Sequence, residues 1–153
     1  YWIFSMFGWP YETTAAMTRL VFSGVLERWP NLKFITHHCG GMVPYFADRI
    51  AGGQEYAERC LNAKFKRNLT KPPIEYFRMF YAATALYGAM PSLMCGHAFF
   101  GSERMLFATD MPYDAEGGDL YTRDTINAVE RMQISPAEKE QIFEGNARRI
   151  LRL

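Results

Sequence analysis

Three short runs of strand-forming residues, "LKFIT" (32–36), "FYAATAL" (80–86) and "RMLFATD" (104–110), are separated by long stretches of helical character. This alternation constrains the fold more than any other feature of the chain. "LKFIT" lacks strict apolar–polar alternation, as a strand buried on both faces does. Strands joined by crossovers of a dozen or more residues pair in parallel, because a tight hairpin cannot connect them. The order helix, strand, helix, strand, helix, strand, helices predicts an α/β fold, a parallel sheet with helices outside it.

The helical stretches carry their own punctuation. In "GWPYETTAAMTRLVFSGVLERWPNL", Pro10 starts a helix, Glu12 and the threonines suit its first turn, and Pro30 stops it. Ala16, Leu20, Val21 and Val25 share one helical stripe. "MVPYFADRIAGGQEYAERCLNAK" also reads as helix, with a bend or break expected at Gly52-Gly53. "IEYFRM" suits a helical turn, and "GAMPSLMCGHAFFG" a short helix with Pro91 in its first turn. "LYTRDTINAVERM" follows the third strand. Ser135, Pro136 and Glu138 then form a capping-box pattern opening "SPAEKEQIFEG". Gly145 fits the position just past that helix, and Asn146 suits the cap of a last one, "NARRILRL".

The 153 residues favour one compact domain over 1–153, and 49% hydrophobic residues suffice for a core. A net charge of +1 gives no reason to expect nucleic acid or an anionic membrane as partner. No apolar run is long enough to span a bilayer. The apolar start "YWIFSMFGWP" lacks the basic region and cleavage-type site of a signal peptide, and it lacks an initiator Met, as in a chain cut from something longer. Cys39, Cys60 and Cys95 form no CxxC pair and read as reduced thiols of a cytoplasmic protein. No GxGxxG or GxxxxGK[ST] occurs, so nucleotide sites are unsupported.

In parallel α/β folds, active sites form at the carboxyl ends of the strands. His37 and His38 follow the first strand, Thr84 lies in the second, and Asp110 ends the third. An imidazole and a carboxylate at neighbouring strand ends can share a metal ion or act as an acid–base pair. The glycines after His38 let the backbone turn close to a ligand, and Pro112 stiffens the loop carrying Asp110. Each residue also has a plain structural role open to it. His38 can be a hydrogen-bonded strand end, and Asp110 the cap of the next segment. The side chains of His37 and His38 point apart if the strand continues that far. His97 reads as packing or surface. Lys64, Lys66, Arg67 and Lys71 read as a solvated basic loop, and "NLT" at Asn68 matches a glycosylation acceptor without other signs of secretion.

Taken together, "GWPYETTAAMTRLVFSGVLERWPNLKFITHHCGGMVPYFADRI", "RMLFATDMPYD" and "IFEGNARRIL" resemble the C-terminal part of the amidohydrolase-related, metal-dependent decarboxylases. That group includes the aminocarboxymuconate semialdehyde, resorcylate and dihydroxybenzoate decarboxylases. The resemblance covers nearly the whole chain and implies the C-terminal portion of a (β/α)8 TIM barrel, strands six to eight with their helices. It implies that His38, in H-x-G-G-x-x-P, is a catalytic acid–base. It also implies that Asp110, in T-D-x-P, is both a ligand of a divalent zinc or manganese ion and a group that moves protons. The family's H-x-H or E-x-H pair and its fifth-strand histidine have no match here. Ala83-Thr84-Ala85 stands where relatives read D-T-A, which leaves the substrate class open.

The implied function is non-oxidative decarboxylation of an aromatic or unsaturated carboxylic acid by a longer parent protein, a dimer or tetramer of identical chains. Two alternatives stand beside it. One is a metal-dependent hydrolase of the same superfamily, acting on a lactone or amide. The other is an inactive fragment that serves as an interaction module. Three strands of eight leave two open edges and an uncovered inner face, so this chain alone is expected to be poorly stable or to associate.

Overall fold

The computed structural model describes residues 1–63 and 69–153. The basic residues Lys64, Lys66 and Arg67 and the Asn68 acceptor lie outside the described residues. The chain opens with a π-helical turn, Phe4–Gly8, that runs into α1, Trp9–Phe22. Pro10 sits in the first turn of α1 as expected. Met17 and Val21 form its buried face while Ala16 is exposed, so the inner stripe is rotated from the one read in the sequence. The expected single helix breaks at Ser23–Gly24. Gly24 takes φ +75°, and α2, Val25–Arg28, starts in a new direction.

Three parallel strands follow: β1 (Ile35–Thr36), β2 (Tyr81–Ala83) and β3 (Met105–Leu106), in the order β1-β2-β3. Ile35 pairs with Tyr81, and Ala82 with Met105. The crossovers are α3 (Ala47–Cys60) with α4 (Pro73–Phe77), then α5 (Met90–Phe100). After β3 come α6 (Asp119–Arg131), α7 (Pro136–Glu140), a π-helical turn at Gln141–Gly145, and α8 (Asn146–Leu151). The core between sheet and helices holds Met17, Leu26, Phe77, Phe80, Leu93, Met105, Val129 and Ile142, all essentially buried.

Two local expectations are corrected. α3 runs through Gly52-Gly53 without a break, on a face where added Cβ atoms would meet nothing within 4 Å. Gly145 does not end a helix but lies inside one, at φ −58°, ψ −41°. The reason is Asn146, which is not a cap but a buried anchor. Its Nδ2 donates to the carbonyls of Ser102 at 2.7 Å and Met105 at 2.8 Å. Phe107 N–H donates to the Ile142 carbonyl at 2.9 Å. The segment around Ile142 and Asn146 thus satisfies part of the outer edge of β3. Among the described residues no strand pairs with the outer edge of β1, where Ile35 is half-exposed. Trp2, Ile3, Phe4, Met6 and Phe7 are also exposed. Among the described residues no helix is long and apolar enough to cross a membrane.

Candidate active site

β1 ends at Thr36, whose hydroxyl donates to the Tyr81 carbonyl at 3.0 Å. His37 is still extended. The backbone then holds positive φ at His38, Cys39, Gly40 and Gly41, +48°, +50°, +79° and +62°. Such a run is unfavourable for side-chain-bearing residues and reverses the chain sharply. It is held from below by α1, where the Thr14 hydroxyl accepts from Met42 N–H at 2.8 Å. Gly41 sits so close to α1 that an added Cβ would stand 2.3 Å from the Pro10 carbonyl oxygen.

This turn aims His38 at the end of β3. His38 Nε2 stands 3.9 Å from Asp110 Oδ2, and the two side chains are 17% and 16% exposed, sheltered yet reachable. The gap exceeds a hydrogen bond, so the coupling is electrostatic. Burial pushes the His38 pKa below its ordinary value, the Asp110 charge pulls it up, and His37 pushes it down. His38 Nδ1 is buried with no hydrogen-bond partner among the described residues.

Asp110 itself takes φ +67° and precedes a cis Met111–Pro112 bond. It does not cap the next helix. That role falls to Asp114, which accepts from the N–H groups of Glu116, Gly118 and Tyr121 at 2.7, 3.0 and 2.9 Å. Asp110 is thereby left to the site.

Of the remaining sequence candidates, His37 is exposed, with its ring 6.0 Å from that of His38. Thr84 is structural: its hydroxyl donates to the Ala108 carbonyl and accepts from Ala108 N–H, each at 2.9 Å, extending the β2–β3 pairing. His97 Nε2 pairs with Glu138 at 3.1 Å and ties α5 to α7. The second strand contributes instead through Tyr87, which the sequence reading passed over. Its hydroxyl donates to Asp110 Oδ2 at 3.1 Å, and its ring stacks on Tyr121 at 4.0 Å. The available signal was a Tyr-Gly pair directly after a strand. Beside His38, a cavity of about 450 Å³ opens between the turn after β1 and the start of α5.

The chain matches the family described as amidohydrolase over residues 2–153. It belongs to the amidohydrolase family. The chain is 31% identical over 142 residues to the 6-methylsalicylic acid decarboxylase of Penicillium expansum, covering 93% of this chain and 41% of that one. It superposes on 5-carboxyvanillate decarboxylase from Sphingomonas paucimobilis with a TM-score of 0.79 at 26% identity, over 95% of this chain and 41% of the other. A Polaromonas dihydroxybenzoic acid decarboxylase, solved with manganese and 2-nitroresorcinol, gives a TM-score of 0.74 at 27% identity, over 94% and 41%. The chain thus spans about two fifths of the length of these relatives. Its α/β fold superposes on about two fifths of these TIM-barrel amidohydrolase-type decarboxylases. All three relatives are named decarboxylases, which does not favour the hydrolase reading.

A divalent ion in such a site ordinarily takes three or more protein donors. Among the described residues no group of three His, Cys, Asp or Glu gathers to hold one. His38 and Asp110 can flank an ion but do not close a site around it.

Proposed function

We propose that this chain is the C-terminal portion of a (β/α)8 barrel, one partial domain over 1–153, with β1, β2 and β3 as the sixth, seventh and eighth strands. The complete protein is a metal-dependent lyase that removes carbon dioxide from an aromatic or unsaturated carboxylic acid without an oxidant. The observation that carries this reading is the His38–Asp110 pair, 3.9 Å apart at the carboxyl ends of β1 and β3, in a chain similar to decarboxylases along nearly its whole length. The open edge of β1 and the exposed apolar N-terminal residues fit a surface that further barrel strands cover. The complete protein is proposed to be a homo-oligomer, dimer or tetramer. The free thiols of Cys39, Cys60 and Cys95 accord with a cytoplasmic setting.

In this reaction a proton is added to the ring or alkene carbon that bears the carboxylate. The bond to the carboxylate then breaks, its electron pair returns to the ring or alkene, and carbon dioxide leaves with hydrogen in its place. Asp110 or His38 delivers the proton, and the other group orients or stabilises. Because burial lowers its pKa, a protonated His38 is a stronger acid than an ordinary imidazolium and gives its proton up readily. Asp110 is proposed as one ligand of a divalent zinc or manganese ion, the remaining donors lying outside this chain.

The test uses the full-length protein and acids labelled with carbon-13 in the carboxyl group. Release of labelled carbon dioxide is expected. Oxygen-18 uptake from water without carbon dioxide release would contradict the reading and point to hydrolysis or hydration.

A further inference from the structure

The turn that aims His38 also brings two of the three cysteines together. Cys39, the residue after His38, is buried at φ +50°. Its Sγ lies against the backbone of Gly96 in α5, so closely that a Cβ added there would collide with it. That Cβ would stand 3.7 Å from Cys39 Cβ, within the span of about 3.5–4.5 Å that a disulfide bridges. The turn after β1 and α5 therefore run at disulfide distance from one another at this level. Cys95, next to Gly96, is the thiol that α5 offers there. It is half-buried, and with Cys39 it lines the cavity beside His38. Both thiols are free, and among the described residues no group of three donors gathers to claim them for a metal. Cys60, by contrast, is exposed on α3 and has no part in that cavity.

We propose that Cys39 and Cys95 are a reversible disulfide pair, closed by hydrogen peroxide, that ties the His38 turn to α5 and draws His38 away from Asp110. Cys95 opens onto the cavity and meets the peroxide first. One peroxide oxygen passes to its sulfur, giving a sulfenic acid and water. The Cys39 sulfur then attacks the Cys95 sulfur. The S–S bond forms, the S–O bond breaks, and the hydroxyl leaves with the Cys39 proton as a second water. Peroxide gains two electrons and each thiol gives up one. Burial, and then the neighbouring Cys95 sulfur, push the Cys39 thiol up to about 12. Cys39 is therefore protonated and sheltered, suited to the second step and not to the first. Closure requires its Sγ to leave the seat on Gly96. Cys39 stands inside the run of positive φ that sets His38 Nε2 3.9 Å from Asp110, so the shift passes to His38. The effect on the reaction rests on the role proposed for His38, whereas the disulfide itself does not.

The test treats the metal-loaded, full-length protein with hydrogen peroxide, blocks the remaining thiols with N-ethylmaleimide and reads the digest by mass spectrometry. A peptide linked through Cys39 and Cys95 is expected, and dithiothreitol should abolish it. In Cys39→Ser the sulfenic acid has no thiol to resolve it, and dimedone is expected to mark Cys95. Carbon dioxide release should fall by about 10–100-fold on oxidation and return with dithiothreitol. Cys95→Ser, at a half-buried position, should hold its own starting rate through the same treatment. Absence of the linked peptide, or dimedone marking Cys95 in the unaltered protein without any linkage, overturns the pair. A linked peptide with an unchanged rate overturns the effect on His38. No carbon dioxide from the untreated protein sinks the decarboxylase reading instead, and the linked peptide still decides the pair.

Discussion

The Tyr87 hydroxyl donates to Asp110 Oδ2 at 3.1 Å, the same oxygen that faces His38 Nε2 at 3.9 Å. One carboxylate oxygen is thus fixed between residues from the ends of β1 and β2. Burial first, and then the bond to Asp110, push the Tyr87 hydroxyl up to about 12, so it remains a donor throughout the neutral range.

Removing that donor should loosen Asp110 without disturbing the Tyr87–Tyr121 stack. Tyr87→Phe in the full-length protein is expected to lower kcat by roughly 10–100-fold, with little change in KM or melting temperature. Steady-state kinetics alongside a thermal melt check this. A fall in melting temperature that accounted for the loss of activity would argue for a purely structural tyrosine.

Gly41 holds the His38 turn against α1. Its φ of +62° and the 2.3 Å approach of an added Cβ to the Pro10 carbonyl oxygen leave no room for a side chain. Gly41→Ala is expected to cost about 1–3 kcal/mol and to displace His38. Urea unfolding gives the first quantity. Activity falling further than stability explains would give the second.

Asn146 is the buried tie between α8 and the start of β3. Asn146→Leu strands the carbonyls of Ser102 and Met105, which it bridges, and is expected to cost about 2–4 kcal/mol. The same denaturant midpoints measure it.

Some of this was legible in the residues and some was not. The parallel pairing followed from three strand-forming runs and long crossovers, and the capping box at Ser135 from local chemistry that needs no tertiary partner. His38 and Asp110 were visible as polar groups at strand ends, but their separation was not, because it depends on four consecutive positive φ angles after His37. Thr84 was read as a candidate by position, and only the pairing register shows its hydroxyl bonded to Ala108. Asn146 looked like a cap because local rules favour that role, and a bond across 41 residues overrode them. Tyr87 gave little signal because a tyrosine after a strand is usually core.

Glu138 provides a pH-dependent contribution away from the site. The Ser135 N–H and then the Ser135 hydroxyl bind its carboxylate at 2.8 and 2.7 Å, and despite partial desolvation these bonds, with His97, hold its pKa below 4.5. A folded value below the unfolded one stabilises the protein above about pH 4.5, and that contribution disappears as pH falls through the folded value. Glu138→Gln should therefore lower the melting temperature near neutrality and flatten its fall on the acid side. Parallel melts of both proteins across the acid range test this, and superimposable differences at every pH would contradict it.

The most direct measurement is carbon dioxide release by the full-length protein carrying His38→Ala or Asp110→Asn, each beside the unaltered protein and each confirmed to fold. Loss of decarboxylation by about 100-fold or more in both variants is expected of a proton-transfer pair. Full activity in either would contradict the assignment of these two residues to the reaction.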